Sequence, residues 1–329
     1  MGKPIHGKIV AAKIRTTVKK EAAALFDAYG IHPGLAIIQV GNEPLSQLYT
    51  QIQLQACSDM DFHVSEYKMN NNATTEQLLD LIGVLNKDPK IHGILVQLPL
   101  PELIDTKRVL ASIAVQKDVD AYSPYSMGCL MEGKPGLLPC TPAGILELIE
   151  STGVSLSGKH CVIIGRSNLV GKPLAMLLLQ KDATVTICHS KTDQLQSICK
   201  EADILISAVG KPHVVTADMV KEQAIVIDVG LYQMEDGSLC GDVEYDAVAE
   251  RASYLTPVPG GVGPMTVAML LKNTLSAARQ SKEKKQTVLQ KRSASVRVRK
   301  MTAQRRFLLR FKALQLSYRE LPLTKLERA

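Results

Sequence analysis

Two kinds of hydrophobic pattern alternate along the first 280 residues of the chain. Short segments rich in apolar residues predict strands, and a nearly continuous apolar run such as 34–40 is typical of a strand buried on both faces of a parallel sheet. The predicted strands are 34–40, 62–67, 93–98, 183–187, 204–209 and 224–229. Apolar residues spaced three and four positions apart predict amphipathic helices at 9–29, 46–60, 75–87, 143–151 and 265–278, with a loop around 118–138. This alternation predicts an α/β fold with mostly parallel sheets.

The segment after the apolar run ending at Ile164 is the first with candidate chemistry. Gly165-Arg-Ser-Asn-Leu-Val-Gly171 separates this run from an apolar helical pattern. The order strand, tight turn, helix directs backbone N–H groups and a helix N-terminus at a phosphate. The two glycines do not spell the usual G-x-G-x-x-G, so the spacing alone fits both a dinucleotide site and an ordinary turn of an α/β protein.

The end of the next predicted strand, 183–187, distinguishes between two cofactors. A cofactor with a free ribose 2′-hydroxyl is usually held by an Asp or Glu near this strand end, and no acid lies between Ala183 and Thr192. This strand end offers Ser190 and Lys191, and the turn after Ile164 offers Arg166 and Ser167. These cations and hydroxyls suit a 2′-phosphate. We therefore predict NADP rather than NAD; the alternative is that the two cations are solvated surface charges.

Charge is distributed unevenly along the 329 residues, whose formal net charge is +7. Between Arg279 and Ala329 there are 16 Lys and Arg but 3 Asp and Glu, whereas the preceding residues carry 23 and 29. The favoured interpretation of the basic tail is a weakly helical or unordered extension without a specific role. One alternative is contact with nucleic acid, although no known nucleic-acid-binding module is recognisable. The other is a short amphipathic helix at 308–316 that contacts a partner or a membrane surface.

Composition also sets limits on location. No run of about 18 apolar residues is present, so no membrane span is predicted, and the N-terminal residues lack the apolar core of a secretory signal. The seven cysteines form no C-x-x-C pair. This pattern favours reduced thiols in the cytoplasm over disulfides or a zinc site.

Four loops containing proline or charged residues lie at or near predicted strand ends: 96–101, 117–120, 139–142 and 256–266. Ligands of open α/β sheets bind beyond the carboxyl ends of the strands. Prolines and glycines also make rigid turns without any ligand. The loops are therefore candidates for a site, although each alone is a weak indication.

Taken together, these segments resemble the methylenetetrahydrofolate dehydrogenase/methenyltetrahydrofolate cyclohydrolase family over residues 3–279. The most specific segment is Pro257-Val-Pro-Gly-Gly-Val-Gly-Pro-Met-Thr266. The resemblance implies an N-terminal α/β folate domain at 1–120, completed by a helix at 265–279, and a Rossmann-type NADP-binding domain at 143–264, followed by the basic tail at 280–329. It implies a folate site in the cleft between the domains, and a homodimer.

The resemblance also implies roles for single residues. Tyr49 matches the tyrosine that stacks on the folate ring system, Gln97 the active-site glutamine, and Asp120 the aspartate that hydrogen-bonds the pterin. The positions matching NADP contacts are Gly165, Arg166, Ser167, Ser190 and Leu231. The positions matching folate contacts are Tyr49, Val96, Gln97, Leu98, Pro259, Gly260, Gly261, Val262, Gly263, Pro264, Met265, Thr266 and Val267.

One departure from the family pattern affects the chemistry. Gln53 stands where the family has a lysine four residues after the tyrosine, and Gln55 replaces a second frequent lysine. In the family that first lysine is central to hydrolysis of the methenyl group, and a neutral amide has no proton that titrates near pH 7. We expect the NADP-dependent dehydrogenase step to survive better than the cyclohydrolase step. The alternatives are a fully bifunctional enzyme with a substitute base, and a degenerate folate-binding protein whose tail contacts nucleic acid.

A second departure lies beside Asp120. The family usually continues with glycine, an aromatic residue, histidine, proline and, two residues on, asparagine, whereas this chain has Ala121, Ser123 and Ser126 at the glycine, histidine and asparagine positions. The loss of two polar groups and of one glycine is expected to weaken folate binding.

Overall fold

The structure, a computed structural model, describes residues 1–234 and 236–282. Residues 1–234 and 236–279 belong to one compact unit, which we call the first unit. Within the described residues, the strands all belong to the first unit. They are β1 (Lys3–Pro4), β2 (Gly34–Val40), β3 (His63–Met69), β4 (Gly93–Val96), β5 (His160–Ile164), β6 (Thr184–Cys188), β7 (Ile204–Ser207), β8 (Ile225–Asp228), β9 (Tyr232–Gln233), β10 (Leu239–Cys240) and β11 (Tyr254–Leu255).

The α-helices follow the predicted alternation with the strands. They are α1 (Gly7–Tyr29), α2 (Pro44–Asp59), α3 (Thr75–Lys87), α4 (Thr106–Ser112), α5 (Pro124–Met131), α6 (Cys140–Glu150), α7 (Gly171–Leu179), α8 (Leu195–Lys200) and α9 (Tyr245–Ala249), then α10 from residue 262 to the last described residue, 282. Short 3-10 turns lie at Val115–Lys117 and Ala217–Met219. The predictions for the basic tail concern residues 280–329, and all of these after 282 lie outside the described part of the chain.

The N-terminal sheet has three parallel strands in the order β3-β2-β4. The central strand β2 is buried at all seven positions, as its nearly continuous apolar sequence predicts. The edge strand β3 is more exposed and alternates in polarity along its length. Helix α3 starts at a capping box in which Thr74 and Gln77 satisfy each other's backbone N–H groups.

The second sheet has six strands in the order β1-β11-β8-β7-β5-β6, all parallel. Strand β5 lies between β6 and β7, so the chain leaves it toward one side and returns to the other. The turn after β5 therefore occupies the topological switch point, where open α/β sheets bind ligands. The short strand β1 pairs with β11, so the N-terminus joins the second sheet before α1 begins.

Helix α10 packs on both parts of the unit. Val267, Leu270, Leu271 and Leu275 belong to a buried cluster that includes residues of the N-terminal sheet. Met265 and Ala268 belong to a cluster formed mainly by α6, α7 and the second sheet. The loop before α10 is thereby fixed between the two sheets.

The predicted fold class is confirmed, and the predicted elements are present with shifted bounds. The prediction of a loop at 118–138 was wrong, since α5 lies within it. Ser123 caps this helix by accepting a hydrogen bond from the Ser126 amide, and Pro124 occupies the first turn. Strand β4 ends at Val96, two residues early, because Pro99 and Pro101 cannot extend a ladder.

No helix in the described ranges is long and apolar enough to cross a lipid bilayer. All seven cysteines are free. Residues 1–234 and 236–282 contain no group of three or more metal-binding side chains.

Candidate active site

A cavity of about 440 Å³ lies where α1, α2, the end of β8 and the loop before α10 meet. Its wall includes the predicted substrate residues Tyr49, Pro259–Pro264 and Val267, and the predicted cofactor residue Leu231. Lys8 and Arg15 of α1 also line it, although the sequence of α1 indicated no more than an amphipathic helix. Leu231 therefore shares a cavity with the predicted substrate residues, whereas the predicted cofactor residues Gly165, Arg166, Ser167 and Ser190 do not line it.

The loop at 257–264 approaches its neighbours closely. A Cβ atom on Gly261 would lie 2.7 Å from the Pro257 carbonyl oxygen, and one on Gly263 would lie 3.3 Å from the Tyr49 hydroxyl. Gly260 has a φ of +111°, which favours glycine. Gly260 and Gly261 are thus required for the shape of this loop, and Gly263 lies close to the tyrosine.

Tyr49 is presented by α2, whose start is well defined. Glu43 accepts hydrogen bonds from the Leu45 and Ser46 amides, and Pro44 occupies the first position. The Ser46 hydroxyl donates to the Leu98 carbonyl at 3.4 Å, so α2 contacts the segment after β4. Burial raises the pKa of Tyr49, so its hydroxyl is a neutral hydrogen-bonding group at pH 7.

Three side chains near this junction each bury an oxygen atom that has no partner among the described residues, and we call them the unpaired set: Thr50, Gln53 and Gln97. Neither amide oxygen, nor the Thr50 hydroxyl, has a hydrogen bond to any described residue. Thr50 is 1% exposed and Gln53 is 5% exposed. Leaving such an atom unsatisfied costs about 1–3 kcal/mol, so a ligand or water is expected to supply the missing donor.

The positions of the unpaired set follow from secondary structure. Thr50 and Gln53 lie three residues apart on α2, which places them on one helix face. Gln97 follows β4 directly, and its backbone N–H donates a hydrogen bond to the Ile38 carbonyl oxygen at 2.8 Å. Gln53, Gln97 and Asp120 do not belong to the lining of the 440 Å³ cavity.

Asp118 organises the segment that holds Asp120. It is 2% exposed and accepts hydrogen bonds from the amides of Tyr122 and Ser123. The Ser126 hydroxyl also donates to it, at 2.7 Å. Two of the three departures from the family pattern thus have a structural use here, since the Ser123 side chain caps α5 and the Ser126 hydroxyl donates to Asp118.

Ala121, the third departure, has a φ of +56°, in the left-handed region that favours glycine. It is also fully buried. The chain therefore accepts a strained backbone between Asp120 and Tyr122, of the order of 1 kcal/mol.

Asp120 is partly buried and contacts a group that its own sequence neighbourhood does not reveal. Burial raises its pKa to about 6, a hydrogen bond with Cys140 opposes this, and the charge of Asp118 adds to the rise. Tyr122 hydrogen-bonds Thr141, and burial together with the Asp120 charge raises the pKa of Tyr122 well above 10. The proline-flanked Cys140–Thr141 pair was the available signal for this contact.

Three other predicted substrate residues, Val96, Met265 and Thr266, do not line the cavity. Val96 is buried in the core of the N-terminal sheet. Met265 belongs to the core cluster around α6 and α7, and Thr266 contacts Thr141 through their hydroxyls at 3.0 Å. Met265 and Thr266 lie directly after the loop, near the start of α10.

The turn after β5 has the close approach that a phosphate-binding turn requires. A Cβ atom on Gly165 would lie 2.5 Å from the Ala208 carbonyl oxygen, and one on Gly171 would lie 2.0 Å from the Gly165 oxygen. The Ser167 hydroxyl accepts from the Val170 amide at 3.0 Å, next to the start of α7. This is a rigid turn in front of a helix N-terminus.

The donor set around this turn fits a 2′-phosphorylated dinucleotide. Arg166, Ser190 and Lys191 are exposed beyond the carboxyl ends of β5 and β6. Neither cation forms an ion pair within residues 1–234 and 236–282. Both are thus available to a phosphate, and no acidic side chain is present between Ala183 and Thr192 to repel one.

Two buried carboxylates hold the cavity wall at Leu231, and we call them the carboxylate clamp: Asp228 and Asp242. Asp228, the last residue of β8, accepts three hydrogen bonds of 2.9–3.0 Å from the amides of Gly230, Asp242 and Val243. Burial raises the pKa of Asp228 to about 6, opposed by the Asp242 amide, and the Asp242 charge adds to the rise.

Asp242 completes the clamp from the other side. It accepts from the Ser207 hydroxyl and from the amides of Val209 and Lys211. Glycine is required at both crossing points, because a Cβ atom on Gly230 would lie 2.1 Å from Asp242 Oδ1 and one on Gly241 would lie 1.9 Å from Asp228 Oδ2. The ends of β7 and β8 and the chain after β10 are thereby joined.

Comparison with known proteins places both halves of the chain in one family. Residues 5–120 match the model of the tetrahydrofolate dehydrogenase/cyclohydrolase catalytic domain, and residues 139–282 match the model of its NAD(P)-binding domain. Bifunctional protein FolD of Moorella thermoacetica is 51% identical over 276 residues, which are 84% of this chain and 98% of that protein. The protein of the same name from Acetivibrio thermocellus is 50% identical over 84% of this chain and 97% of its own length.

Solved structures agree with this assignment. The bifunctional enzyme FolD from Campylobacter jejuni has a TM-score of 0.83 and 44% identity, over 85% of this chain and 99% of that one. The dehydrogenase-cyclohydrolase of Trypanosoma brucei, complexed with NADP cofactor and inhibitor, has a TM-score of 0.82 and 39% identity, over 85% and 98%.

Proposed function

Because the chain belongs to the tetrahydrofolate dehydrogenase/cyclohydrolase family, we propose that it is an NADP-dependent 5,10-methylenetetrahydrofolate dehydrogenase with a weakened cyclohydrolase step. The observation that carries the proposal is Gln53, a buried amide with an unpaired oxygen at the position of the family's lysine. The product of the first step is 5,10-methenyltetrahydrofolate, and hydrolysis would convert it to 10-formyltetrahydrofolate.

The folate is assigned to the 440 Å³ cavity. Tyr49 offers an aromatic face to the pteridine, and the loop at 257–264 closes over it. The family resemblance assigns Asp120 to the pterin nitrogen atoms, although Asp120 does not line the cavity. Its raised pKa lets the carboxyl either accept or donate a hydrogen bond near neutral pH. The unpaired oxygens of Gln53 and Gln97 accept hydrogen bonds from the substrate or from water held beside it.

NADP, when bound, supplies the acceptor for the hydride of the substrate's methylene bridge. Arg166, Ser190 and Lys191 hold the 2′-phosphate, and the turn at Gly165 approaches the pyrophosphate. Leu231, fixed by the carboxylate clamp, forms the wall of the cavity between the two sites. Orientation of two bound partners therefore carries much of the rate, and no side chain at position 53 has to titrate.

Hydrolysis makes a different demand on position 53. Water must be deprotonated as it attacks the methenyl carbon, and a general base normally contributes about 10²–10⁴-fold to such a step. Gln53 can orient water through its amide, but it cannot take up the proton.

A fully bifunctional enzyme is the second candidate, and one observation favours it. Asp120 has a pKa of about 6, close to the value that suits a general base at neutral pH. In that case Asp120, through a water molecule, would take the place of the missing lysine.

Both activities should be measured on the wild type and on Gln53→Lys. NADPH formation from methylenetetrahydrofolate reports hydride transfer, and loss of methenyltetrahydrofolate absorbance above the uncatalysed rate reports hydrolysis. We expect Gln53→Lys to raise hydrolysis about 100-fold and hydride transfer by less than about threefold. Gln55→Lys is the matched control, because Gln55 lies on the same helix but is exposed and bonded to Asp59.

The outcomes separate the candidates. Equal effects of Gln53→Lys on both activities would show that position 53 does not limit hydrolysis more than hydride transfer. Fast hydrolysis by the wild type that is lost in Asp120→Asn would favour the bifunctional enzyme. Failure of the wild type to form NADPH would leave only a folate-binding role.

Three further assignments rest on the family resemblance or on the sequence. We propose a homodimer, which sedimentation equilibrium would test, in the cytoplasm, where reduced cysteines are stable. Nucleic-acid contact by the tail is not favoured; salt-dependent RNA binding that disappears on deletion of 280–329 would reverse this.

A further inference from the structure

The described part of α10 buries two polar side chains, Asn273 and Thr274. The Thr274 hydroxyl donates to the Leu270 carbonyl oxygen one turn earlier, so this bond stays within the helix. Asn273 is 6% exposed and bonds to other parts of the chain instead. Asparagine is a poor helix former in the middle of a helix, so the structural use of this residue lies in those bonds outside α10.

The Asn273 side chain joins two segments that are far apart in the sequence. Its Nδ2 atom donates to the carbonyl oxygens of Val119 and Leu138, both at 2.8 Å. An amide nitrogen carries two protons, so these two bonds use both of them. Val119 directly precedes Asp120, and Leu138 lies two residues before Cys140. The asparagine therefore fixes the position of 119–120 relative to 138–140.

Asp120 and Cys140 contact each other at the ends of these two segments. The Asp120 carboxylate hydrogen-bonds both the thiol and the backbone N–H of Cys140. The Cys140 sulfur also lies 3.3 Å from the Val119 carbonyl oxygen and 3.5 Å from Asn273 Nδ2. One side chain of α10 thus contacts both sides of the interaction that orients the Asp120 carboxyl.

This arrangement needs two donors from one buried atom. An aliphatic side chain at position 273 would leave two buried carbonyl oxygens unpaired, and a carboxylate would repel them. Helix α10 also begins at the end of the loop 257–264, which contacts Tyr49 through Gly263. The segment that holds Asp120 and the loop beside Tyr49 therefore share one support.

We propose that Asn273 is a positioning residue, which holds the Asp120 carboxyl in place to bind the pterin ring of the folate. This rests on the proposed function, because it assumes that Asp120 contacts the folate. Asn273 itself does not line the cavity. Its effect is to order Asp120 before the substrate arrives, and such preorganisation lowers the cost of binding.

The test measures NADPH formation by the full chain while methylenetetrahydrofolate and NADP are varied in turn. Asn273→Ala should raise the KM for methylenetetrahydrofolate about tenfold, since it removes two hydrogen bonds that orient Asp120. The KM for NADP should change by less than about twofold, because the partners of Asn273 lie outside the turn at 165–171. Asn273→Ser, which keeps one donor, should raise the folate KM by about threefold.

Thr274→Val is the matched control. It removes a buried hydrogen bond from the same helix, but this bond goes to Leu270 rather than to the Asp120 segment. The variant should lose stability in urea unfolding and keep both KM values. The control thus separates a general loss of stability from a loss of positioning.

A double-mutant cycle asks whether Asn273 acts through Asp120. If it does, adding Asn273→Ala to Asp120→Ala should change the folate KM by less than about twofold, because the group to be positioned is already absent. A further tenfold rise in the double variant would overturn the proposal. If Asn273→Ala does not fold, the same cycle is measured with Asn273→Ser.

The results distinguish this proposal from the proposed function. Failure of the wild type to form NADPH would overturn the function itself. A folate KM that rises in Asp120→Ala but stays unchanged in the Asn273 variants would overturn the positioning role and leave the function standing. Equal rises of the folate KM and the NADP KM in Asn273→Ala would also overturn it, because they would indicate a general structural change.

Discussion

The unpaired set and the carboxylate clamp are two polar regions that differ in how completely their buried oxygen atoms are hydrogen-bonded. Thr50, Gln53 and Gln97 each bury an oxygen that no described residue satisfies. Asp228 and Asp242 each accept three hydrogen bonds. A satisfied buried network specifies one backbone arrangement, whereas an unsatisfied one favours whatever ligand completes it. The clamp is therefore scaffold, and the unpaired set is binding surface.

The largest expected effect comes from breaking the clamp. Asp228→Asn preserves size but turns one acceptor into a donor, which would face a backbone N–H group such as that of Val243. We expect the free energy of unfolding to fall by about 3 kcal/mol, the cost of leaving buried donors unsatisfied. Urea unfolding at pH 7 measures it.

Asp236→Asn is the control for that substitution. Asp236 is exposed and bonds only Ser238 within its own turn, among the described residues, so its replacement should change stability by less than about 0.5 kcal/mol. An equally small effect of Asp228→Asn would mean that the clamp does not support the fold. The comparison between the two regions would then fail.

A second, smaller effect concerns pH. Burial raises the pKa of Asp120 to about 6 from an ordinary 3.8, opposed by its hydrogen bond with Cys140. The folded protein thus holds this proton between pH 3.8 and 6, whereas the unfolded chain releases it. The stabilisation is fully present below 3.8 and is lost as pH rises through 6. For a partly buried carboxyl this amounts to about 2 kcal/mol.

Asp120→Asn removes that dependence. Relative to the wild type, the variant should gain stability by about 2 kcal/mol between about pH 4 and pH 7 in urea unfolding. Asp228 also has a pKa of about 6 and remains in both proteins, so its contribution cancels from the difference. Parallel stability curves for the two proteins would show that Asp120 has an ordinary pKa in the folded state.

The difference between the two regions also explains what sequence could predict. Strand β2 and the turn at Gly165 were predictable because hydrophobic pattern and glycine spacing are local signals. The clamp was not, since Asp228 and Asp242 lie 14 residues apart and their donors are backbone N–H groups brought together by the sheet. The sequence shows Asp228 at the end of a predicted strand, but it does not show which backbone N–H groups bond to it.

The region around Asp120 was predicted in part for a related reason. Resemblance drew attention to Asp120, but Ser123 and Ser126 counted only as missing polar groups. The structure gives both a partner in Asp118, since the hydroxyl of Ser126 and the amide of Ser123 donate to it. The Ser123-Pro124 start of α5 was a local signal that the loop prediction overlooked.

The smallest effect on stability is expected for a substitution at Thr50, and it tests the difference between the unpaired set and the carboxylate clamp most directly. Thr50→Val replaces a buried hydroxyl that has no partner among the described residues by a methyl group of nearly the same size. Since no internal hydrogen bond is lost, the free energy of unfolding should stay the same or rise by up to about 1 kcal/mol. If the unpaired set binds the substrate, directly or through water, the KM for methylenetetrahydrofolate should rise about threefold to tenfold.

Thr274→Val is the matched control, because the buried Thr274 hydroxyl donates to the Leu270 carbonyl at 2.8 Å and its loss should reduce stability without changing KM. Loss of stability in Thr50→Val with an unchanged KM would show that position 50 belongs with the scaffold rather than with the binding surface.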